Sequence, residues 1–366
     1  MRNESPGRAS LAAGVFLVLT VSSAVHAITI FKVAATADEE MYPSVSGDTV
    51  VWQVFNSRYG DWDVMGARIS NGSAGESFAI ADFNGDDRFP IIDGNDVVWQ
   101  FQRNENSGGD VYGARIADGR TVSTFAISVS TDDEFLPWVS NGVAVWQHGF
   151  VGAPDWDILG ARLTGQDNPT SFFVSAGIDI DEMFPCISGN LVVWQQKSSS
   201  LPTPFVYGAD ISDPNHPRTF YTTMALGKEE MPGLSDGWLV GRETDGVGKV
   251  TADNLFDPFN PEGISSSGLT AYPRIHKHIV VWQDQSNGTW DIRGYNLVTR
   301  QEFAVTSLKM SQQVNPAVYV DTEETRALIV WQDDRDGNWD IYAAIVDGLE
   351  VDTSSDFLEV KAVSVD

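Results

Sequence analysis

The sequence has a single cysteine, Cys186, among its 366 residues. No intrachain disulfide can form, so the fold must hold by packing alone. Cys186 lies in Phe184-Pro185-Cys186-Ile187, a strand-like run, and reads as a small buried apolar residue. Basic residues are also scarce: 23 Lys and Arg stand against 51 Asp and Glu, a net charge of −28. Nucleic acid is excluded as a partner, because phosphate binding needs clustered cations. Anionic membrane surfaces are disfavoured for the same reason. Histidines number 5, and the closest pair, His276 and His278, has no cysteine or carboxylate at metal-ligand spacing. Gly-x-Ser-x-Gly is missing, and Gly263-Ile264-Ser265-Ser266-Ser267-Gly268 does not supply it. There is no glycine-rich phosphate loop. After Val25 no apolar run is long enough to cross a bilayer.

What the chain does contain begins with a leader-like segment. Arg2 and Arg8 precede the apolar stretch Leu11 to Val25, and Val25-His26-Ala27 is a small-residue cleavage site. Residues 1–27 are expected to be a signal peptide and 28–366 a single domain, secreted or in the periplasm and cell envelope. The mature chain is read as a monomer without membrane insertion. Hydrophobic residues make up 42% of the sequence, enough for a core.

The strongest pattern is a unit that returns about every 47 residues. It reads Pro-x-x-Ser-Gly-Asp/Asn-x-Val-Val-Trp-Gln, a polar gap, then Trp-Asp-Ile/Val-x-Gly-Ala. Its tryptophans are Trp52, Trp99, Trp146, Trp194, Trp282 and Trp331, and Gly241 occupies the place in a further copy. Copies start at Pro43, Pro90, Pro137, Pro185, Pro232, Pro273 and Pro316. Each holds turn signals such as Ser46-Gly47-Asp48 and short strand-like runs. A fixed period with several short strands per copy predicts radial repetition. The fold class is therefore all-β, a seven-bladed β-propeller of four-stranded antiparallel blades.

Four strands, A to D, are expected in each blade. Strand A follows the proline, B is the Val-Val-Trp run, C the Asp-Val-x-Gly-Ala run, and D the Phe-Ala-Ile run. Strand B is apolar on consecutive residues, as expected when both faces are buried between neighbours. The six tryptophans read as wedges between blades. The Gly-Ala pairs of strand C are expected to admit the next blade's tryptophan. Blade five should be irregular: its strand B is Trp238-Leu239-Val240-Gly241, and Asp253 to Ser267 reads as a long loop with Pro258 and Pro261. Ile28 to Ala34 aligns with the strand D positions and is expected to complete the last blade. Phe357 to Val363 is the competing segment.

The repeat, with Gly337-Asn338-Trp339-Asp340-Ile341-Tyr342, resembles the TolB-like and WD40-like propeller repeats of exported bacterial proteins, over about residues 37 to 347. The turn here is Ser-Gly-Asp, not the Ser-Pro-Asp-Gly typical of the TolB family, and no accompanying α/β domain is found. A role in the Tol envelope complex is therefore not carried over. The resemblance implies a rigid disc that binds partners.

Two sets of acids are candidate functional groups. The first precedes the proline in five copies: Asp38, Glu39 and Glu40; Asp86 and Asp87; Asp132, Asp133 and Glu134; Asp181 and Glu182; Glu229 and Glu230. These are expected in the D–A loops, as an acidic ring at the channel mouth. Like charges crowded there favour a cation such as calcium, or a basic ligand. Asp82-Phe83-Asn84-Gly85-Asp86 has the look of half a calcium loop, and equally of a plain turn. No other cofactor is indicated. The second set is the strand C aspartate: Asp63, Asp110, Asp157, Asp291 and Asp340, replaced by Phe205 and Lys249 elsewhere. Its recurrence around a ring reads as structural, with backbone amides of the B–C loop as expected partners.

The functional expectation is a non-catalytic scaffold that binds a protein or glycan through the acidic face, aided by Tyr59, Phe101, Phe135 and Phe150. The alternative is a carbohydrate-active hydrolase or lyase using carboxylates at the channel mouth.

Overall fold

The computed structural model describes residues 27–349, apart from 105–106, 151–154, 165–166, 199–200, 226–230, 243–247 and 268. The leader up to His26 and the segment Phe357 to Val363 lie outside the described residues. Seven antiparallel sheets form the blades of a propeller. Among the described residues there is no helix. Strands A are Glu40–Ser46, Asp86–Asp93, Asp133–Ser140, Ile180–Ser188, Gly233–Ser235, Thr270–His276 and Gln313–Val320, in blades 1 to 7. Each pairs with strand B of its own blade. Blade 7 takes its outer strand from the other end of the chain: Ala27–Ala34 pairs with Asp340–Asp347, with Ile28 opposite Val346. The N-terminal strand therefore closes the ring.

In every blade but the fifth, strand A begins earlier than the proline that marks it in the sequence, and in blades 1 to 4 it takes in Glu40, Asp86, Asp87, Asp133, Glu134, Asp181 and Glu182. The register then slips at a bulge just before or at the proline. Proline has no N–H to give to a ladder, so a bulge is where a strand admits it. The residue before it adopts a left-handed backbone in six blades: Tyr42, Phe89, Leu136, Phe184, Tyr272 and Asn315, with φ between 50° and 56°. In four of these its N–H is taken by the glutamine that follows the tryptophan of the preceding blade. The bonds are Tyr42 N to Gln332 Oε1 at 3.0 Å, Phe89 N to Gln53 at 2.9 Å, Phe184 N to Gln147 at 3.1 Å and Asn315 N to Gln283 at 3.0 Å. This gives the Trp-Gln dipeptide its physical meaning.

All six repeat tryptophans are buried, and each joins two blades. Trp52 packs with Val330, Ile341 and Ala343 of blade 7. Trp99 packs with Val51, Val64 and Ile80 of blade 1. The 4/5 junction has no repeat tryptophan: Cys186, Val193, Val206 and Met224 meet Leu234 and Leu239 there, with Trp138 packed against them. Cys186 is buried, and burial pushes its thiol up to about 12, which suits a packing role.

Two local expectations change. The strand C glycines make room for the phenylalanine of their own strand D, not for the next tryptophan. A Cβ on Gly66 would lie 2.9 Å from Phe78, and one on Gly113 2.9 Å from Phe125. In blade 5, the stretch expected as loop contains strand D, Asp257–Gly263, paired with Val250–Asn254. An outer strand has one unpaired edge, so prolines there break no ladder.

A candidate binding site in the central channel

Strand A lines the channel from its bulge to the A–B turn. There it encloses a cavity of about 590 Å³. The bulge residues Tyr42, Phe89, Leu136, Phe184 and Tyr272 form an apolar collar, with Trp138 and Tyr319 further along the wall. Tyr42 and Phe89 meet edge to face, their centroids 4.8 Å apart. Large side chains at left-handed positions cost about 1–2 kcal/mol each relative to glycine.

Beyond the collar, side chains of one blade stitch the A–B turn of the next. Ser46 Oγ accepts from Gly94 N at 2.9 Å, Asp93 Oδ2 from Asn141 N at 2.6 Å, and Ser140 Oγ from Gly189 N at 3.1 Å. Ser188 Oγ accepts from Asp236 N at 3.2 Å, Ser235 Oγ from Lys277 N at 2.8 Å, and His276 Nδ1 from Val320 N at 2.9 Å. Accepting at Nδ1 makes Nε2 the protonated nitrogen of a neutral His276. Burial lowers its pKa, and Lys277 adds to the effect. Ser46, Ser140 and Ser188 keep a hydroxyl proton to donate, while Ser235 Oγ donates to Asp236 Oδ2 at 3.5 Å.

The cavity carries little net charge. Asp93 and Asp236 belong to blades 2 and 5. Lys277 is tied to Asp321 O at 2.6 Å and to Glu324 at 3.4 Å, and Arg274 lies over the Trp138 ring at 5.3 Å. His276 lines this wall while His278 is buried 3.3 Å from Glu324, so the two imidazoles do not share a ligand position.

The sequence-predicted acids are elsewhere. Glu40, Asp87, Glu134 and Glu182 are buried at the blade junctions and do not line the cavity. Each holds the loop that enters its strand. Thr36 Oγ1 donates to Glu40, Phe83 N to Asp87 at 2.9 Å, Ser130 Oγ to Glu134 at 2.9 Å, and Ser175 Oγ to Glu182 at 2.6 Å. Asp87 also accepts from Trp99 Nε1 at 2.7 Å. Asp38, Glu39, Asp86, Asp132, Asp133 and Asp181 are half-buried. Glu39 accepts from Trp339 N at 2.9 Å, and Asp86 from Trp62 N at 3.2 Å while pairing with Arg88 at 2.8 Å. Glu229 and Glu230 lie outside the described residues. Among those described, no group of three or more His, Cys, Asp or Glu is placed to hold a metal ion.

The strand C aspartates stand beside these acids across the junctions. Asp63, Asp157, Asp291 and Asp340 are buried and Asp110 is half-buried. Their partners come from several loops: Asp63 accepts from Asn56 Nδ2 at 2.8 Å, Asp110 from Ser130 N at 3.3 Å, and Asp291 from Leu308 N at 2.9 Å. Of the aromatics expected on loops, Tyr59 and Phe150 are exposed. Phe101 is buried in strand B, and Phe135 sits in strand A. Sequence reasoning missed the collar. Its signal was present all along as a bulky residue before each proline.

No protein-family model and no curated protein matches this sequence. Solved structures do match in shape. A prolyl endopeptidase is 11% identical over 84% of this chain and 46% of its own, with a TM-score of 0.59. The propeller domain of the Trilobed protease from Pyrococcus furiosus is 10% identical over 84% of this chain and 95% of its own, with a TM-score of 0.56. An acylaminoacyl peptidase from Pyrococcus horikoshii is 10% identical, covering 81% and 49%, with a TM-score of 0.54. This chain thus spans about half the length of the two complete peptidases. At such identity the likeness shows the propeller fold alone. The Trilobed protease propeller is described as having an open velcro topology, whereas here the N-terminal strand fastens blade 7.

Proposed function

We propose that this protein is a non-catalytic binding scaffold, and that its ligand is a neutral glycan chain end held in the channel cavity. The observation that carries this reading is the collar: five bulky side chains kept at strained backbone positions around one cavity. Aromatic faces suit the C–H faces of sugar rings, and a ring of serine hydroxyls suits their oxygens. The TolB-like character of the repeat agrees with a binding disc, in the envelope or outside the cell. The acidic face supports the reading less, because its innermost carboxylates already serve as joints between blades.

A hydrolase would need two carboxylates converging on one bond. The two that line the cavity stand three blades apart, and Asp93 is already engaged by Asn141 N. The test is a neutral-glycan microarray probed with wild type, Phe89→Ala and Tyr272→Ala. Both variants should fold, and any bound glycan should be lost or weakened about tenfold, as expected when a stacking face worth about 1.4 kcal/mol goes. Binding that survives both changes, capture of a protein partner on the acidic face instead, or cleavage of the bound glycan would each overturn the proposal.

A further inference from the structure

Four successive junctions of the ring bring a buried strand A carboxyl near the strand C aspartate of the preceding blade. They are Asp340 with Glu40 (blades 7/1), Asp63 with Asp87 (1/2), Asp110 with Glu134 (2/3) and Asp157 with Glu182 (3/4). The approach is fixed by the backbone. Glu40 N donates to Trp339 O at 2.7 Å, Glu134 N to Gly109 O at 2.9 Å, and Glu182 N to Trp156 O at 2.8 Å. At these three junctions the carbonyl belongs to the residue just before the strand C aspartate; at the 1/2 junction both Asp87 oxygens already accept, from Phe83 N and Trp99 Nε1. Glu40, Asp87, Glu134 and Glu182 are at most 2% exposed. Some of the facing oxygens have no hydrogen-bond donor: both of Asp340, Glu134 Oε2 and Glu182 Oε2. A buried anionic oxygen without a donor costs more than a neutral one, and two such groups together cost more again.

The fifth junction, 6/7, shows what the arrangement requires. Gln313 takes the place of the acid, and its N donates to Trp290 O at 2.8 Å, the same backbone bond. In the orientation its partners demand, its side-chain amide donates to Asp291 Oδ1 at 3.1 Å and accepts from Ser311 Oγ at 2.7 Å. A protonated carboxyl presents the same pairing, one donor and one acceptor. We infer that the carboxyl pairs at the 7/1, 2/3 and 3/4 junctions each hold one shared proton, and that these protons bind blade to blade. Raising the pH removes them and leaves like charges facing across the joints.

The electrostatics point the same way. Burial pushes Glu40, Asp87 and Glu182 up to about 7 and Asp110 to about 6, and raises Asp340. Other charges face each pair. Lys32 and Asp336 flank the 7/1 pair, and Asp61 and Asp82 the 1/2 pair. His148 stands 3.4 Å from Glu134 and 3.8 Å from Asp132 at the 2/3 pair, and Asp155 faces the 3/4 pair. Lys32 favours the ionised form at the 7/1 pair, Arg103 favours ionised Asp110 at the 2/3 pair, and His148 favours ionised Asp157 at the 3/4 pair. A folded-state pKa above the unfolded value means that the folded chain holds more protons. That stability is complete below the unfolded carboxyl range and is lost as pH rises through about 7.

The experiment measures the thermal midpoint of wild type, Glu40→Gln and Glu182→Gln at about pH 5 and about pH 8. The wild-type midpoint should fall between the two. Each amide should raise the midpoint at the higher pH by about 2–4 °C and flatten the fall. No fall in the wild type, or amides that lower both midpoints equally, would overturn the inference. So would calcium that restores the midpoint at the higher pH, since the pairs would then be cation sites. Infrared titration of the unmodified protein gives a second reading. A buried carboxylic C=O band should persist at about pH 6, where exposed acids are ionised, and its absence there would also refute shared protons.

Discussion

Gln53 does more for this fold than its place after a tryptophan suggests. Its side-chain oxygen is the acceptor for Phe89 N across a blade junction. Gln53→Ala should leave that buried N–H without a partner and cost about 1–3 kcal/mol. Gln100 sits at the same repeat position, but its Oε1 has no donor, so Gln100→Ala should cost less. Urea unfolding midpoints of the two variants check the ranking. A second residue-scale expectation concerns the strand C glycines. Gly113→Ala would drive a methyl to within 2.9 Å of the Phe125 ring and 3.0 Å of Ile127. Overpacking of this kind costs about 1–3 kcal/mol. Phe125→Leu in the same chain should return part of it, whereas a clash with the next blade's tryptophan would not respond. The sequence showed that these positions needed small residues. It did not show which ring filled the space, because own-blade and next-blade aromatics recur with the same period.

At the scale of the strand, legibility was uneven. Strand B was readable because a run buried on both faces has a distinctive composition. The N-terminal strand was readable because Ile28 to Ala34 repeats the strand D pattern. Strand A was not, because its first residues are acids, and acids usually mark loops. Here Glu40 and Asp87 are buried joints, and only the neighbouring blade makes a strand that opens with Glu40, or with Asp86 and Asp87, sensible. The left-handed residue before each proline was equally hidden, since steric preference alone sends pre-proline residues to extended backbone. The closing strand provides the element-scale prediction. Removing residues 27–34 would unpair the Asp340–Asp347 edge and expose Val346 and Ala344, now buried. An open edge of this kind is a template for intermolecular pairing. The truncated chain should melt lower and form concentration-dependent oligomers, measurable by light scattering. An unchanged midpoint and a monomer would show that the strand is dispensable.

Across the whole molecule the ring has unequal seams. Six junctions are wedged by a repeat tryptophan, and the 4/5 junction closes on Leu234 and Leu239 instead. Blade 5 also has the shortest strand A, Gly233–Ser235. Less apolar area buried there means a lower cost of local opening. Amide exchange followed by mass spectrometry should find Trp238–Arg242 exchanging faster than the matching strands of blades 2 and 3. Equal protection around the ring would contradict a weak seam. The copy count and the tryptophan register made the whole architecture legible from sequence, including the irregular blade. The cavity was not legible, because it depends on how six bulges converge.

The pairing of Ile28 with Val346 also sets an order of events. The first strand of the described chain has no partner until the last blade exists, so its contacts span nearly the full length of the polypeptide. Such distant partners are slow to meet, because a long loop must be closed before any bond repays it. On a nascent chain this strand can therefore pair only after strand C of blade 7 has been made. Conditions that hold the two termini near each other should hasten native recovery more than they raise final stability.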